Sequence, residues 1–332
     1  MPHEPLDVQA LHEMSSAFMP ACVIGAAAEL DLFTRLGQES LSADQISRRL
    51  DSDLRATTML LDAAAALGLL EKHQGRYTVP EALRPLLSAH GPQTVLPMLQ
   101  HRMNVLRSWA LLPWVVRAGI PGPRTASIRG PAADRAAFVA AMHSAGAPVA
   151  DQLVARLGLA PFGHLLDVGG ASGTWTLALL RIAPEATATI FDLPDAIQQA
   201  RERIERSEFA ARIRLVAGDF YVDELPAGAD LAWLSAIAHQ HSRQHNRELF
   251  AKVFRALEPG GTIAIRDVLM QPDRTRPVQG ALFAINMLVN TETGGTFTFE
   301  EFAQDLEAAG FRDVRLVIHA EDMNSVLIAT KA

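Results

Sequence analysis

From residue 165 onward, short apolar runs and amphipathic helical stretches follow one another at a spacing that leaves few folds open. Strand-like segments fall at 165–168, 186–193, 213–218, 229–235 and 261–269, and helical patterns occupy 173–183, 194–207 and 243–257. Strands alternating with helices of this length build parallel βαβ units, so the segment predicts a doubly wound α/β sheet. Thr298-Phe299-Glu300-Glu301 then has a capping-box pattern and opens a helix that ends near Gly310. Two closing strands, 313–319 and 325–331, are joined by too few residues for a crossover and must be antiparallel.

The first part of the chain reads differently. Ser42-Ala43-Asp44-Gln45 is another capping box, followed by a helix from Ile46 to Leu50. A second helix starts near Leu54 with Met59, Leu60, Ala63, Ala64 and Leu67 at helical spacing and Gly68 near its end. Residues 69–72 and 76–79 flank a His-Gln-Gly turn and predict a small hairpin. Helix, helix, hairpin is the order of a winged helix. Gly119, Pro121, Gly122, Pro123, Gly130 and Pro131 crowd the stretch 117–135, which predicts a linker between a domain at 1–116 and a domain at 136–332.

Charge and composition narrow the partners. Residues 1–90 carry seven Lys/Arg against twelve Asp/Glu, a balance of −5, and the whole chain has a formal charge of −7. A face that grips phosphates needs the opposite sign, so nucleic acid is not an expected partner despite the winged-helix order. The apolar run Cys22 to Leu32 suits burial between helices or subunits. Cys22 is the one cysteine, which leaves no disulfide framework and no thiolate zinc cluster. No signal-peptide pattern opens the chain, and no apolar stretch approaches the ~20 residues a membrane span needs. A cytoplasmic protein without membrane partners is the expectation.

In open α/β sheets, ligands gather at the carboxyl ends of the strands. Here the first strand ends in Asp167 and the turn Gly169-Gly170-Ala171-Ser172-Gly173, whose glycines let main chain approach a ligand while the next helix presents its first amides. A dinucleotide fingerprint would need glycines where Ala171 and Thr174 stand, which argues against a nicotinamide cofactor. Asp192 closes the second strand, where an acid can accept hydrogen bonds from ribose hydroxyls or simply cap the next helix. Gly218-Asp219-Phe220 closes the third and sets a carboxylate beside a ring, which suits an adenine edge and face. His239, His241 and His245 raise a metal reading, but with no cysteine or adjacent carboxylate to join them no metal is expected.

Taken in order, Leu-Leu-Asp-Val-Gly-Gly-x-Ser-Gly at 165–173, Phe-Asp-Leu-Pro at 191–194, Gly-Asp-Phe at 218–220, His239 and Leu-Glu-Pro-Gly-Gly at 257–261 resemble the S-adenosylmethionine-dependent O-methyltransferases of the plant caffeic-acid and acetylserotonin type, with their bacterial relatives. The resemblance covers almost the whole chain. Asp-Leu-Phe at 31–33, Leu-Gly-Leu-Leu at 67–70 and Arg76-Tyr77 look like the family's N-terminal dimerisation domain, and Phe138 to Met142 looks like its pocket-lining segment.

The resemblance implies a class I methyltransferase sheet, mostly parallel with an antiparallel C-terminal hairpin, behind a winged-helix-like dimerisation domain. It implies S-adenosylmethionine as methyl donor with S-adenosylhomocysteine as product, a small-molecule acceptor of secondary metabolism, and a homodimer. Gly169, Gly170, Ala171 and Gly173 would contact the methionine moiety, Asp192 the ribose, and Asp219 with Phe220 the adenine. Asp167, Leu193, Gly218 and Ser235 complete the implied cofactor set. His239 falls where the family has its catalytic base and Asp267 where it has the first acid that orients it. Gln100, Met103, Trp109, Met142, His143, Phe283, Asn286 and Met287 lie in segments that resemble acceptor-pocket linings.

Four residues depart from the pattern. Ala171 replaces a third glycine, Gln240-His241 stands where the family has Asp-Trp, and Phe297 occupies the place of the second flanking acid. The expected activity is methylation of a hydroxyl on an aromatic or polyketide-like acceptor with His239 as base. The weakened surroundings of that base keep methylation at carbon or nitrogen, or a rearrangement without methyl transfer, as alternatives, with a DNA-binding metabolite sensor behind them.

Overall fold

The computed structural model describes residues 6–170 and 172–332, so the expected contact at Ala171 lies outside the described residues. The chain gathers into two units. The first ends at Arg107 and includes Thr125–Ser144, and the second comprises Ser108–Arg124 and Ala145–Ala332.

The first unit is built mainly from α1 (Val8–Ser16), α2 (Phe18–Glu29), α3 (Leu32–Leu36), α4 (Ala43–Leu50), α5 (Leu54–Ala66) and α6 (Arg84–Leu87), with strands β1 (Leu41–Ser42), β2 (Glu71–His73) and β3 (Arg76–Thr78). Both halves of the capping box at Ser42 form, its side chain taking the Gln45 amide and the Gln45 side chain taking the Ser42 amide. That fixes where α4 starts. The three strands pair antiparallel in the order β1-β3-β2 and give the wing that residues 69–79 predict. Leu32, Phe33, Leu36, Ile46, Leu61 and Tyr77 are buried in one cluster, each such side chain contributing about 1.5–3 kcal/mol by leaving water. The Tyr77 hydroxyl escapes an unpaired burial by bonding Asp62 Oδ1 at 2.7 Å.

Three helices complete the inventory before the large sheet: α7 (Leu96–Trp109), α8 (Leu112–Ala118) and α9 (Pro131–Arg156). Pro131 sits at the first turn of α9, where its missing N–H removes no helical bond. This helix begins inside the Gly- and Pro-rich stretch 117–135.

The second unit is a seven-stranded sheet. Its strands are β4 (His164–Val168), β5 (Thr187–Asp192), β6 (Ile213–Ala217), β7 (Ala229–Ser235), β8 (Leu257–Asp267), β11 (Phe311–Ile318) and β12 (Ser325–Lys331), while β9 (Leu269–Met270) and β10 (Phe297–Thr298) form a separate pair. The order is β11-β12-β8-β7-β4-β5-β6. Strands β4 to β8 run parallel, and β12 pairs antiparallel with both β8 and β11. Helices α10 (Thr174–Ile182), α11 (Pro194–Glu205), α12 (Arg243–Ala256), α13 (Val278–Asn290) and α14 (Phe299–Ala308) connect them. The sheet thus carries core on both faces. One cluster joins Leu166, Val168 and Leu234 to Leu249, Phe250 and Phe302 of α12 and α14, and the other joins Leu165, Trp233 and Ala264 to Leu153, Trp175 and Leu179 of α9 and α10.

The strand order reverses at β4, with β5 on one side and β7 on the other. Such a switch point opens a crevice beyond the carboxyl ends of the strands, which is where the candidate residues cluster in sequence. No helix among the described residues is long and apolar enough to cross a membrane.

Candidate active site

The glycine loop leaves β4 with Gly169 at φ +74°, and Gly173 at φ +67° is the N-cap of α10. A Cβ on Gly169 would run into Ile237, and one on Gly170 into the Asp167 carboxyl group. Bare main chain is therefore required at 169 and 170 on sterics alone; the Gly169 amide donates to the Phe191 carbonyl at 2.8 Å, and Arg203 holds the far side of the loop by donating to the Ser172 carbonyl at 2.7 Å. Asp167 is buried beneath this loop, with the Thr176 hydroxyl donating to its Oδ2 at 2.5 Å. Burial pushes its carboxyl up to about 7, and the nearby Asp192 charge acts in the same direction.

Asp192 ends β5, and its Oδ1 accepts the Leu193 amide at 2.7 Å; the N-cap of α11 is Leu193 rather than the aspartate. Gly218 follows β6, its amide donating to the Asp192 carbonyl at 2.9 Å, and a Cβ there would overlap the Phe191 ring. Asp219 Oδ1 accepts the Tyr221 amide at 2.9 Å, and the Lys252 ammonium pins the loop by donating to the Phe220 and Asp223 carbonyls at 2.8 and 2.7 Å. Two carboxylates at neighbouring strand ends, a ring beside one of them, and a loop whose main chain is bare at Gly169 and Gly170 thus gather at the carboxyl ends of β4, β5 and β6.

His239 lies between β7 and α12, 5% exposed. Its Nδ1 is 2.8 Å from Asp267 Oδ1, and its main-chain N–H donates to Asp267 Oδ2 at 3.2 Å. The Val268 amide also donates to Oδ1, at 2.8 Å. A carboxylate receiving amides on both oxygens is acting as an acceptor, so the bond to the ring requires the proton on Nδ1 and leaves the lone pair on Nε2. Among the described residues Nε2 has no hydrogen-bond partner. The backbone of His239 is held as firmly: its carbonyl accepts the Gly295 amide at 2.9 Å, and Asn246 Nδ2 donates to the Ala238 carbonyl at 3.0 Å. Phe283 of α13 stands edge-on to the imidazole, ring centres 4.8 Å apart.

The departures have local uses. Gln240 turns back on its own loop, its side-chain amide donating to the Ala236 carbonyl at 2.9 Å. Phe297 packs its ring against Phe302 in the core. His241 is buried and bonded through Nδ1 to the Tyr221 hydroxyl. Burial, then repulsion from His239 and His245, brings the His241 imidazole down to about 4, with Asp219 opposing. Among the described residues no group of three His, Cys, Asp or Glu side chains could hold a metal ion.

The acceptor candidates separate by unit. In the first, Gln100 is buried with its amide on the Ala28 carbonyl at 3.0 Å, Met103 packs against Gly25 of α2, and Met142 and His143 are half-buried on α9. In the second, Phe283, Asn286 and Met287 share one face of α13, where Asn286 Oδ1 accepts from Trp109 Nε1 at 3.0 Å. The structure brings Phe283 to His239, while Gln100 and Met103 of α7 meet α2. Sequence reasoning missed Tyr221, Asn246 and Arg266. A lone arginine in the apolar run Ile263 to Ile265 was the readable signal for the last.

An O-methyltransferase domain model matches residues 113–312, and an O-methyltransferase dimerisation domain model matches residues 12–87. The chain is 31% identical to 3-hydroxy-5-methyl-1-naphthoate 3-O-methyltransferase of Streptomyces sahachiroi, over 97% of this chain and 95% of that protein. It is 32% identical to acetylserotonin O-methyltransferase of Gallus gallus, over 94% and 95%. Among solved structures, human N-acetylserotonin methyltransferase in complex with SAM superposes with a TM-score of 0.83 at 25% identity, covering 100% of this chain and 99% of that one. PigF with SAH gives 0.87 at 26% identity, covering 98% and 100%. The protein belongs to the S-adenosylmethionine-dependent O-methyltransferase family.

Proposed function

We propose that the protein methylates a hydroxyl group of an aromatic or polyketide-like small molecule, with His239 as general base and Asp267 as the acid that orients it. The observation that carries this reading is the bond between His239 Nδ1 and Asp267 Oδ1. S-adenosylmethionine supplies a methyl group on a sulfonium centre, which leaves the protein to align the acceptor oxygen and take its proton. Asp267 holds the ring in one tautomer, so Nε2 presents a lone pair to the acceptor hydroxyl and receives its proton. Phe283 walls the imidazole with an apolar edge that suits a flat acceptor, and Asn286 and Met287 continue that face of α13.

On the donor side, Gly169, Gly170 and Gly173 bind the amino-acid portion, Asp192 with Leu193 the ribose, and Gly218, Asp219 and Phe220 the adenine. The polar acids do this by accepting hydrogen bonds from hydroxyls and amine, while the loop contributes main-chain groups. A homodimer in the cytoplasm is part of the same reading. It is supported by α1, which buries no residue in its own unit and leaves Val8, Leu11 and Met14 more than half exposed.

The experiment is His239→Ala assayed with the acceptor. Turnover should fall about 10²- to 10⁴-fold with unchanged affinity for S-adenosylhomocysteine. Unchanged turnover would remove the base and leave alignment as the source of catalysis.

A further inference from the structure

The strand that carries Asp267 also carries a buried cation that the base chemistry does not use. Arg266 is 7% exposed. One terminal nitrogen donates to Ser235 Oγ at 2.9 Å, while Nε and the other terminal nitrogen donate to Asn324 Oδ1 at 3.0 and 2.8 Å. The guanidinium lies 4.4 Å over the Trp175 ring. Among the described residues its nitrogens therefore meet only neutral oxygens. The two acids whose charge acts on it are engaged elsewhere, Asp267 on His239 and Asp322 on the side-chain amide of Asn324 at 2.9 Å. Burial lowers Arg266 to about 10, which still leaves it charged at neutral pH.

A buried charge without a bonded counterion costs several kcal/mol, so its position should have a use. That position is behind the glycine loop. Ser235 is the last residue of β7 and pairs with Arg266 in the parallel register. β7 in turn borders β4, from which the loop departs, and Trp175 is the second residue of α10, which the loop enters. Ser235 is only half-buried. Because the guanidinium donates to its oxygen, the hydroxyl proton is directed away from Arg266 and is free to be given to an anion.

We propose that Arg266, acting through the Ser235 hydroxyl, recognises the α-carboxylate of the methyl donor's amino-acid portion and is thereby a positioning residue for the cofactor. This rests on the glycine loop holding the methionine moiety. A serine polarised by a buried arginine is a charge-assisted donor, stronger than a free hydroxyl, and it carries the cation's field to the loop without exposing the guanidinium.

The test compares two ligands by calorimetry: S-adenosylhomocysteine, and 5′-methylthioadenosine, which keeps the adenosine and the thioether but lacks the amino-acid carboxylate. Ser235→Ala should weaken S-adenosylhomocysteine about tenfold or more and leave methylthioadenosine within about twofold. Arg266→Gln should do the same, and Arg266→Lys should recover part of the loss because charge is kept while the fork is not. Equal weakening of both ligands, or no change in either, overturns the proposal. If Arg266→Gln does not fold, Ser235→Ala decides alone, since it removes one hydroxyl at a strand end. Failure of the unaltered protein to bind S-adenosylhomocysteine would overturn the cofactor reading itself.

Discussion

His239 gives Asp267 two donors, its ring Nδ1 at 2.8 Å and its own main-chain N–H at 3.2 Å, so one carboxylate fixes both the tautomer of the imidazole and the turn that carries it. Asp267→Asn would set an amide nitrogen against one of three N–H donors. We expect kcat to fall by as much as the full contribution of a general base, about 10²- to 10⁴-fold. Stability should fall by about 1–3 kcal/mol, since a buried donor loses its acceptor. Turnover and urea midpoints measured on one preparation check both, and a stability loss without a kcat loss would confine Asp267 to a structural part.

Asp167 predicts an unusual pH dependence for the ligand-free protein. Its folded value of about 7 lies above the ordinary 3.8, so between those limits the folded form binds more protons than the unfolded one. Stability therefore declines as pH rises from about 4 to about 7 and levels off above. Asp167→Asn keeps an acceptor for Thr176 and removes the titration. Denaturation midpoints at pH 5 and pH 8 should differ less in the variant, and an unchanged difference would show that burial does not shift this group.

Helix α1 predicts the oligomeric state. Val8, Leu11 and Met14 lie within one face of a helix with no buried residue, and Phe18 and Met19 at the start of α2 are also more than half exposed. Replacing Leu11 and Met14 together by glutamate should convert the dimer to a monomer in light scattering, with little change in the fold by circular dichroism. A dimer that survives both charges would place the contact elsewhere.

Elements that depend on local signals were legible in the sequence. The capping boxes at Ser42 and Thr298 start α4 and α14 where their side-chain pattern says, because an N-cap bond is made within one turn. The strand–helix alternation gave a parallel sheet ending in an antiparallel hairpin. What stayed hidden depends on partners far along the chain. Gln100 gives its amide to the Ala28 carbonyl, 72 residues away in the chain. Arg266 meets Ser235, Trp175 and Asn324, which lie on three other segments that only the sheet order brings together. Gln240 and Phe297 read as losses in a row of motifs, while in the fold one closes a turn and the other fills core.

The reversal of strand order at β4 has a bearing on how such a protein diversifies. Asp192 and Asp219 hang from strands on one side of that reversal, and His239 and Asp267 from strands on the other. Changes far apart with no shared neighbours tend to act independently, whereas residues in contact are coupled. The two sides touch at His241, whose ring bonds the Tyr221 hydroxyl of the loop that holds Asp219, so a lineage that reworks the histidine side for a new acceptor keeps its donor side only where that link is spared.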